Sequence, residues 1–176
     1  MRPLVAVAAS LALLAAACGG SGSSPTPPPN IPLPRKAECR GHDHPLAGVH
    51  HPDRLKVIAT CRVIVGTVKE PEISKDDGDA VFDLAPDPAY KALLNDENVK
   101  RGGLHIEIVP ADQPGCHKGE LLVNPNVPGL GRCSGRFIPL PRTGQHVRAV
   151  GAYVLDTNHD WREIHPAWKV TVVSGA

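Results

Sequence analysis

The sequence predicts a mainly β domain with five short strands and one short helix. Segments that are rich in β-branched residues, or that alternate between apolar and polar residues, recur along the chain between Gly, Pro, Asn and Asp residues. The chain has five cysteines but only 3% aromatic residues, and a domain with so few large core side chains benefits from disulfides.

The first two strands are predicted by composition and by a turn. Residues 62–69 are rich in Val and Ile, and Gly66 lies in the middle, which is typical of a strand that bends or bulges. Asp77 and Gly78 favour a tight turn before a second strand at residues 80–84.

A short helix should follow the second strand. Asp87 is a typical N-cap residue, and Pro88 suits the first helical position. The apolar residues Tyr90 and Leu93 recur at helical spacing, and we expect the helix to end near Asn95.

Three further strands are predicted at residues 104–109, 146–156 and 161–173, and an irregular Pro- and Gly-rich insertion occupies residues 111–137. Five strands with one helix indicate a small closed or partly open barrel, for which the OB-fold is a common architecture. The alternative is a small β-sandwich.

The number of cysteines predicts two disulfides. Apart from Cys18, four cysteines remain, and an even number in an oxidising compartment indicates two bonds. Three pairings are possible. We favour Cys39–Cys61 and Cys116–Cys133, because each pair encloses one self-contained segment, and the second would staple the insertion. Neither pair has the Cys-x-x-Cys spacing of a zinc or redox site.

The N-terminus predicts export. Residues 1–17 contain Arg2 and then an apolar run that is too short for a membrane-spanning helix. Cys18 follows small residues and resembles the lipidated cysteine of bacterial lipoprotein signals. We therefore expect a signal peptide at 1–17, a lipid-anchored Gly/Ser/Pro-rich tether at 18–36 and one OB-like domain at 37–176. The alternative is a secreted protein in which Cys18 is not modified.

The charge balance argues against a nucleic-acid partner. The chain has 19 Lys and Arg against 18 Asp and Glu, and removal of the signal peptide removes one Arg. A protein that binds phosphate backbones needs a basic face, which a near-neutral chain does not favour. We expect no nucleic acid as a partner, and contact with a membrane through the lipid on Cys18.

Five strings of the sequence resemble a group of uncharacterised bacterial OB-fold-like domains. They are HHPDRLKVIATC, CRVIVGTVKE, DGDAVFDLAPDPAYKALLN, GGLHIEIVPAD and GQHVRAVGAYVLDTNHDWREIHPAW, and they cover roughly residues 48–172. Such domains often have His at the position of Val81 and Gly at that of Asp160. The resemblance implies the OB-like fold and leaves the activity open.

The last predicted strand carries the main candidates for function. In an extended strand Trp161, Glu163 and His165 point to the same side. Together with Tyr153 they form the candidate ligand-binding face, since OB-folds commonly bind ligands on strand faces.

Two other roles for this strand remain open. His105, Glu163 and His165 could bind a metal ion, or act as acid and base. The structural alternative is a polar lock, in which His165 bonds to Glu163 or Asp79 while Trp161 fills one end of the barrel.

Two further segments could bind metal weakly. A histidine-rich start contains four imidazoles and two carboxylates, namely His42, His44, His50, His51, Asp43 and Asp53. The acidic segment 76–79 lacks the alternating ligands of a calcium loop, so a hairpin turn is favoured there.

No catalytic residues are assigned. The chain lacks a nucleophile elbow, a phosphate-binding glycine loop and the arginine pattern of nucleases built on OB barrels. We expect no cofactor and a non-catalytic binding or accessory module, lipid-anchored on the extracytoplasmic face of a cell or outer membrane. Its partner would be an envelope glycan or protein. The alternative is a metal-binding protein or metal-dependent hydrolase.

Overall fold

The computed structural model describes residues 31–40, 44–124 and 130–173. The mainly β class is confirmed. The five strands are β1 (Leu55–Ile73), β2 (Ala80–Pro86), β3 (Leu104–Ile108), β4 (His146–Asp156) and β5 (Trp161–Val172). The helical elements are α1 (Asp96–Arg101) and 3-10 turns at Lys36–Glu38, Pro52–Arg54, Pro88–Leu93 and Pro110–Asp112.

The strands form one mixed sheet that closes into a ring, in the order β1-β2-β3-β5-β4 with β4 paired back to β1. All neighbouring strands are antiparallel except β3 and β5, which run parallel. One continuous ring differs from the two stacked sheets of a sandwich, which was the alternative.

Gly66 lies where β1 is paired on both sides, opposite Pro86 of β2 and Val147 of β4. A Cβ atom added there would lie 2.2 Å from the carbonyl oxygen of Ala85. The glycine therefore permits a close approach between β1 and β2 that no other residue would allow.

The predicted helix is a 3-10 turn that ends beside Asn95, as expected, and a second short helix that was not predicted follows it directly. The 3-10 turn Pro88–Leu93 ends, and Asn95 then begins α1 as its N-cap. The Asn95 side chain accepts a hydrogen bond from the Asn98 backbone at 3.0 Å, and the Asn98 side chain accepts one from the Asn95 backbone at 3.3 Å. This reciprocal pair is a capping box, which favours a helix start.

The core is apolar and lies on one side of the sheet. Every second residue of β2 and β3 is directed into this core. From these two strands it receives the side chains of Phe82, Leu84, Leu104, Ile106 and Ile108, and β5 adds Ile164. A second, smaller cluster packs on β4 and β5 beneath the N-terminal segment and contains Leu46, Leu55, Ala152, Val154 and Trp168.

Both predicted disulfides are present, Cys39–Cys61 and Cys116–Cys133. A loop of this size adds about 3 kcal/mol to stability when closed. The second bond staples the insertion, where the described residues hold only the Pro110–Asp112 turn and an isolated bridge between Leu121 and Arg132.

The predicted signal peptide, Cys18, most of the tether, His42 and Asp43 lie outside the described residues. Among the described residues, no helix is long and apolar enough to cross a membrane.

Candidate polar-cluster site

A cluster of ionisable side chains covers the face of β2, β3 and β5 opposite the core. Successive side chains of a strand point to opposite faces of the sheet. The ionisable residues alternate along the chain with residues whose side chains enter the core, and they therefore lie on the opposite face. Asp83 of β2 is opposite His105 of β3, and His105 is opposite Glu163 of β5. The polar cluster comprises Asp79, Asp83, His105, Glu107, Glu163 and His165, all of them buried.

His165 lies at the centre of the polar cluster and is fully buried. Its Nδ1 atom is 3.1 Å from Oε2 of Glu107 and 3.3 Å from Oε2 of Glu163. Its Nε2 atom is 3.4 Å from Oδ2 of Asp79, outside hydrogen-bond geometry. Both carboxylate oxygens of Asp79 are buried without a hydrogen-bond partner.

His105 connects the centre of the polar cluster to its edge. Its Nδ1 atom lies 2.8 Å from Oδ1 of Asp83, and its Nε2 atom lies 3.2 Å from Oε1 of Glu107. Arg101 donates a hydrogen bond from Nε to the same Asp83 oxygen at 2.7 Å. Imidazoles and carboxylates thus alternate from Arg101 inward to His165.

These contacts shift the ionisation of the two imidazoles. Burial opposes the charged form of His105, but the carboxylates of Asp83 and Glu107 raise its pKa to about 9. Burial also opposes charge on His165, yet Glu107, Asp79 and Glu163 raise its pKa well above the usual value.

The carboxylates divide into two groups. Burial raises the pKa of Asp79 to about 7, against the opposing influence of His165. Burial acts in the same direction on Glu107, but His165 and His105 outweigh it and lower the pKa. The two buried acids therefore differ, because the surroundings favour the protonated form of Asp79 and the ionised form of Glu107.

Trp161 closes the outer side of the polar cluster. The guanidinium of Arg101 lies 4.3 Å from the centroid of its ring, and the His159 ring stacks on it at 4.4 Å with an interplanar angle of 9°. Its Nε1 donates a hydrogen bond to Oε1 of Glu163. The indole is therefore held by its neighbours and is not a free stacking platform.

An open cleft of about 1130 Å³ lies above the polar cluster. His105, Glu107 and Trp161 form part of its lining, together with residues from three loops. The loop residues are His50, His51, Asp53, Arg54, Ser74, Lys75, Asp76, Asp77, Thr157, Asn158 and His159. The cleft gives solvent access to the edge of the polar cluster.

The structure brings together most of the residues predicted for the site. Trp161, Glu163, His165 and His105 lie in or against the polar cluster. Tyr153 does not, and this is a correction. It is paired with Ile164 and is directed into the core, where its hydroxyl donates to the Leu93 carbonyl. Its position on the core side of β4 separates it from the face that carries His165.

The predicted polar lock describes part of the observed arrangement. His165 contacts both residues named for it, Glu163 and Asp79. Glu107 was missed, although its alternation with His105 in β3 was a usable signal. The segment that ends at Asp79 is a turn as predicted, since the Asp79 backbone donates to Asp77 Oδ1 at 3.1 Å.

The histidine-rich start is split in the structure. His50 and His51 line the cleft, whereas Nδ1 of His44 accepts a hydrogen bond from the Leu46 backbone at 3.2 Å. No cluster of potential metal ligands in the described part of the chain includes these histidines.

No family model, curated protein or solved structure matches the chain.

Proposed function

We propose that the protein is an exported, lipid-anchored binding module of the cell envelope, built on an OB-type barrel. The strand order β1-β2-β3-β5-β4, with one parallel pair, supports the OB type. The two disulfides support an oxidising, extracytoplasmic location. Residues 1–18 support export and lipidation of Cys18.

The observation that carries the binding role is the composition of the cleft. Among the described residues that line it, Ile73, Val81 and Trp161 are the only ones without a strongly polar or ionisable side chain. Pockets for apolar ligands are lined mostly by hydrophobic side chains, so this cleft suits a polar ligand.

The charged side chains of the cleft further restrict the chemical class of ligand that it can bind. Residues 72–77 contribute Glu72, Asp76 and Asp77, whereas Lys75, Arg54 and the histidines are donors or bases. The cleft therefore contains positive and negative side chains together with hydrogen-bond donors and acceptors. This mixture matches a hydroxyl-rich ligand better than a polyanion, which would need a positively charged surface. The ligand class we propose is a segment of an envelope glycan.

Direct titration tests this proposal. The chain carrying Cys18→Ser, which remains free of lipid, is labelled with ¹⁵N and titrated with soluble peptidoglycan fragments and with neutral oligosaccharides. We expect saturable chemical-shift changes at residues of the cleft for at least one probe. Absence of such changes for every probe, or changes confined to other surfaces, contradicts the proposal.

A pair of lysine variants provides the control. Lys75 lines the cleft, and Lys91 is exposed on the Pro88–Leu93 turn outside it. Lys75→Ala should weaken binding about tenfold, the loss of one charge-assisted hydrogen bond, whereas Lys91→Ala should not change it. Equal effects of the two substitutions would place the ligand elsewhere.

A further inference from the structure

We propose that Asp79, Glu107 and His165 bind one divalent transition-metal ion, of the Zn²⁺ class, beneath the cleft. One potential ligand atom from each of the three residues lies within 4.8 Å of those of the other two. A single ion between them could therefore contact all three after small side-chain movements. This inference is independent of the glycan ligand.

Unsatisfied polar atoms point to the position of the ion. Asp79 is 1% exposed, yet neither of its carboxylate oxygens makes a hydrogen bond, and the same is true of Nε2 of the fully buried His165. Buried polar atoms are nearly always paired, because leaving one without a partner costs about 1–3 kcal/mol. These atoms face one another across 3.4 Å, which makes the space between Asp79 and His165 the centre of the site.

The surroundings of His165 favour a ligand role for Nε2. Its Nδ1 atom lies 3.3 Å from Oε2 of Glu163, which in turn accepts a hydrogen bond from Trp161 through Oε1. A histidine that donates Nδ1–H to a carboxylate has its lone pair on Nε2, and this carboxylate–histidine pairing is the usual support of a metal-binding imidazole. Glu163 is thus a positioning residue, and Asp79 supplies one oxygen from its place beside Nε2. Glu107, whose Oε2 lies 3.1 Å from Nδ1, supplies the other after its side chain turns toward Nε2.

The charges of the polar cluster also favour a divalent cation. Asp79, Glu107 and Glu163 bring three carboxylates into a buried space. Asp83, the fourth carboxylate of the polar cluster, is paired with Arg101. An ion of charge +2 would offset two of the three remaining carboxylates. Buried charges persist only when they are paired or bind metals.

The ligand types select the class of ion. One imidazole nitrogen with two carboxylates suits Zn²⁺, Mn²⁺ or Fe²⁺, whereas Ca²⁺ and Mg²⁺ prefer oxygen alone. The described cysteines are in disulfides, so thiolate ligands are excluded there. The ligands lie on or beside β2, β3 and β5, which are rigidly paired, and Glu107 also lines the cleft, which provides a path for entry.

Elemental analysis of the Cys18→Ser chain, prepared without a tag or chelator, tests the proposal. We expect about one equivalent of metal, retained on dialysis. Removing it with a chelator should lower the melting temperature, and adding ZnCl₂, MnCl₂ or CoCl₂ should restore it, by about 10 °C when the free ion is about 1000-fold above Kd. Neither bound metal nor a thermal shift with any of the three salts would falsify the proposal.

Matched variants locate the site. Asp79→Asn should lower metal occupancy at least tenfold, whereas Asp76→Asn, the same substitution at an exposed position of the same hairpin, should not. The double variant His50→Ala/His51→Ala tests adventitious binding in the cleft. Loss of the metal in the double variant together with its retention in Asp79→Asn overturns the assignment.

X-ray absorption spectroscopy of the Zn²⁺-loaded Cys18→Ser chain identifies the ligands directly, and it tests the site even if the Asp79→Asn variant does not fold. We expect one imidazole among nitrogen and oxygen ligands at about 2.0–2.2 Å. Two or more imidazoles would instead indicate His105 or the histidine-rich start as ligands and would overturn the proposal.

Discussion

Arg148 on β4 and Glu38 in the N-terminal segment form a two-point ion pair. The two terminal nitrogens of the guanidinium donate to the two carboxylate oxygens at 2.7 and 2.8 Å. The Glu38 side chain is 7% exposed, and Lys169 lies 3.6 Å away. This pair attaches the segment before Cys39 to the sheet, next to the first disulfide.

Glu38→Gln should destabilise the protein at neutral pH. Burial opposes ionisation of Glu38, but Arg148 and the Arg35 backbone lower its pKa to about 2. A carboxylate whose pKa is lowered in the folded state stabilises that state above the unfolded pKa of 4.5 and loses this effect as pH falls toward 2. Allowing for solvent screening, we expect a loss of about 1 kcal/mol at pH 7.

Urea unfolding at pH 7 and at low pH measures this loss. The difference between wild type and Glu38→Gln should shrink as the pH falls through the window from 4.5 to about 2. Glu72→Gln, at an exposed position of the cleft, serves as the control and should have little effect at either pH. A loss that is the same at both values of pH would assign the role of Glu38 to packing.

Gly66→Ala should be strongly destabilising. The new methyl group would lie 2.2 Å from the Ala85 carbonyl oxygen and 2.8 Å from Cα of Pro86, and both are backbone atoms that cannot move without breaking the β1–β2 pairing. We expect a loss of about 3 kcal/mol or more in the free energy of unfolding. Gly115→Ala, in open space but at a φ of 87°, should cost only about 1 kcal/mol from backbone strain. Similar losses in the two variants would contradict this explanation.

The elements that the sequence predicts best are those with local signals. Alternation and β-branched residues locate all five strands, but the register shifts of β1 lie at 57–62 and 69–72, whereas Gly66, where a bend or bulge is expected, is paired regularly on both sides. The helix α1 is not predicted, because Asn95, near which the first helix is expected to end, is also a good residue for capping the next one.

The site itself depends on pairing between distant strands. Alternation in β3 indicates that His105 and Glu107 share a face, and alternation in β5 indicates the same for Glu163 and His165. That the two faces meet depends on the parallel register of β3 with β5, with His105 opposite Glu163. Register between distant strands is set by the whole core, so no local pattern predicts it. The same reasoning explains the misplacement of Tyr153, which is opposite Ile164.

Cys18→Ser should release the protein from membranes. If Cys18 carries the lipid, its loss removes the acyl chains whose burial holds the domain at the surface. Fractionation of the expressing cells should find the wild type with membranes and the variant in the soluble fraction. Mass spectrometry of the wild-type N-terminus provides the second measurement. An unmodified cysteine at position 18 would contradict lipid anchoring.

Asn98→Ala should detach α1 from β5. Asn98 is fully buried, and its amide nitrogen donates to the Arg162 carbonyl at 2.9 Å while its oxygen accepts from the Arg162 backbone at the same distance. Its removal leaves both backbone groups of Arg162 without these partners and also removes the capping hydrogen bond from the Asn95 backbone, and together these losses should cost about 2–3 kcal/mol in urea unfolding. Val99→Ala, at a 63% exposed position of the same helix, should cost less than about 0.5 kcal/mol. If both substitutions cost the same, helix propensity rather than the Arg162 contact holds α1 in place.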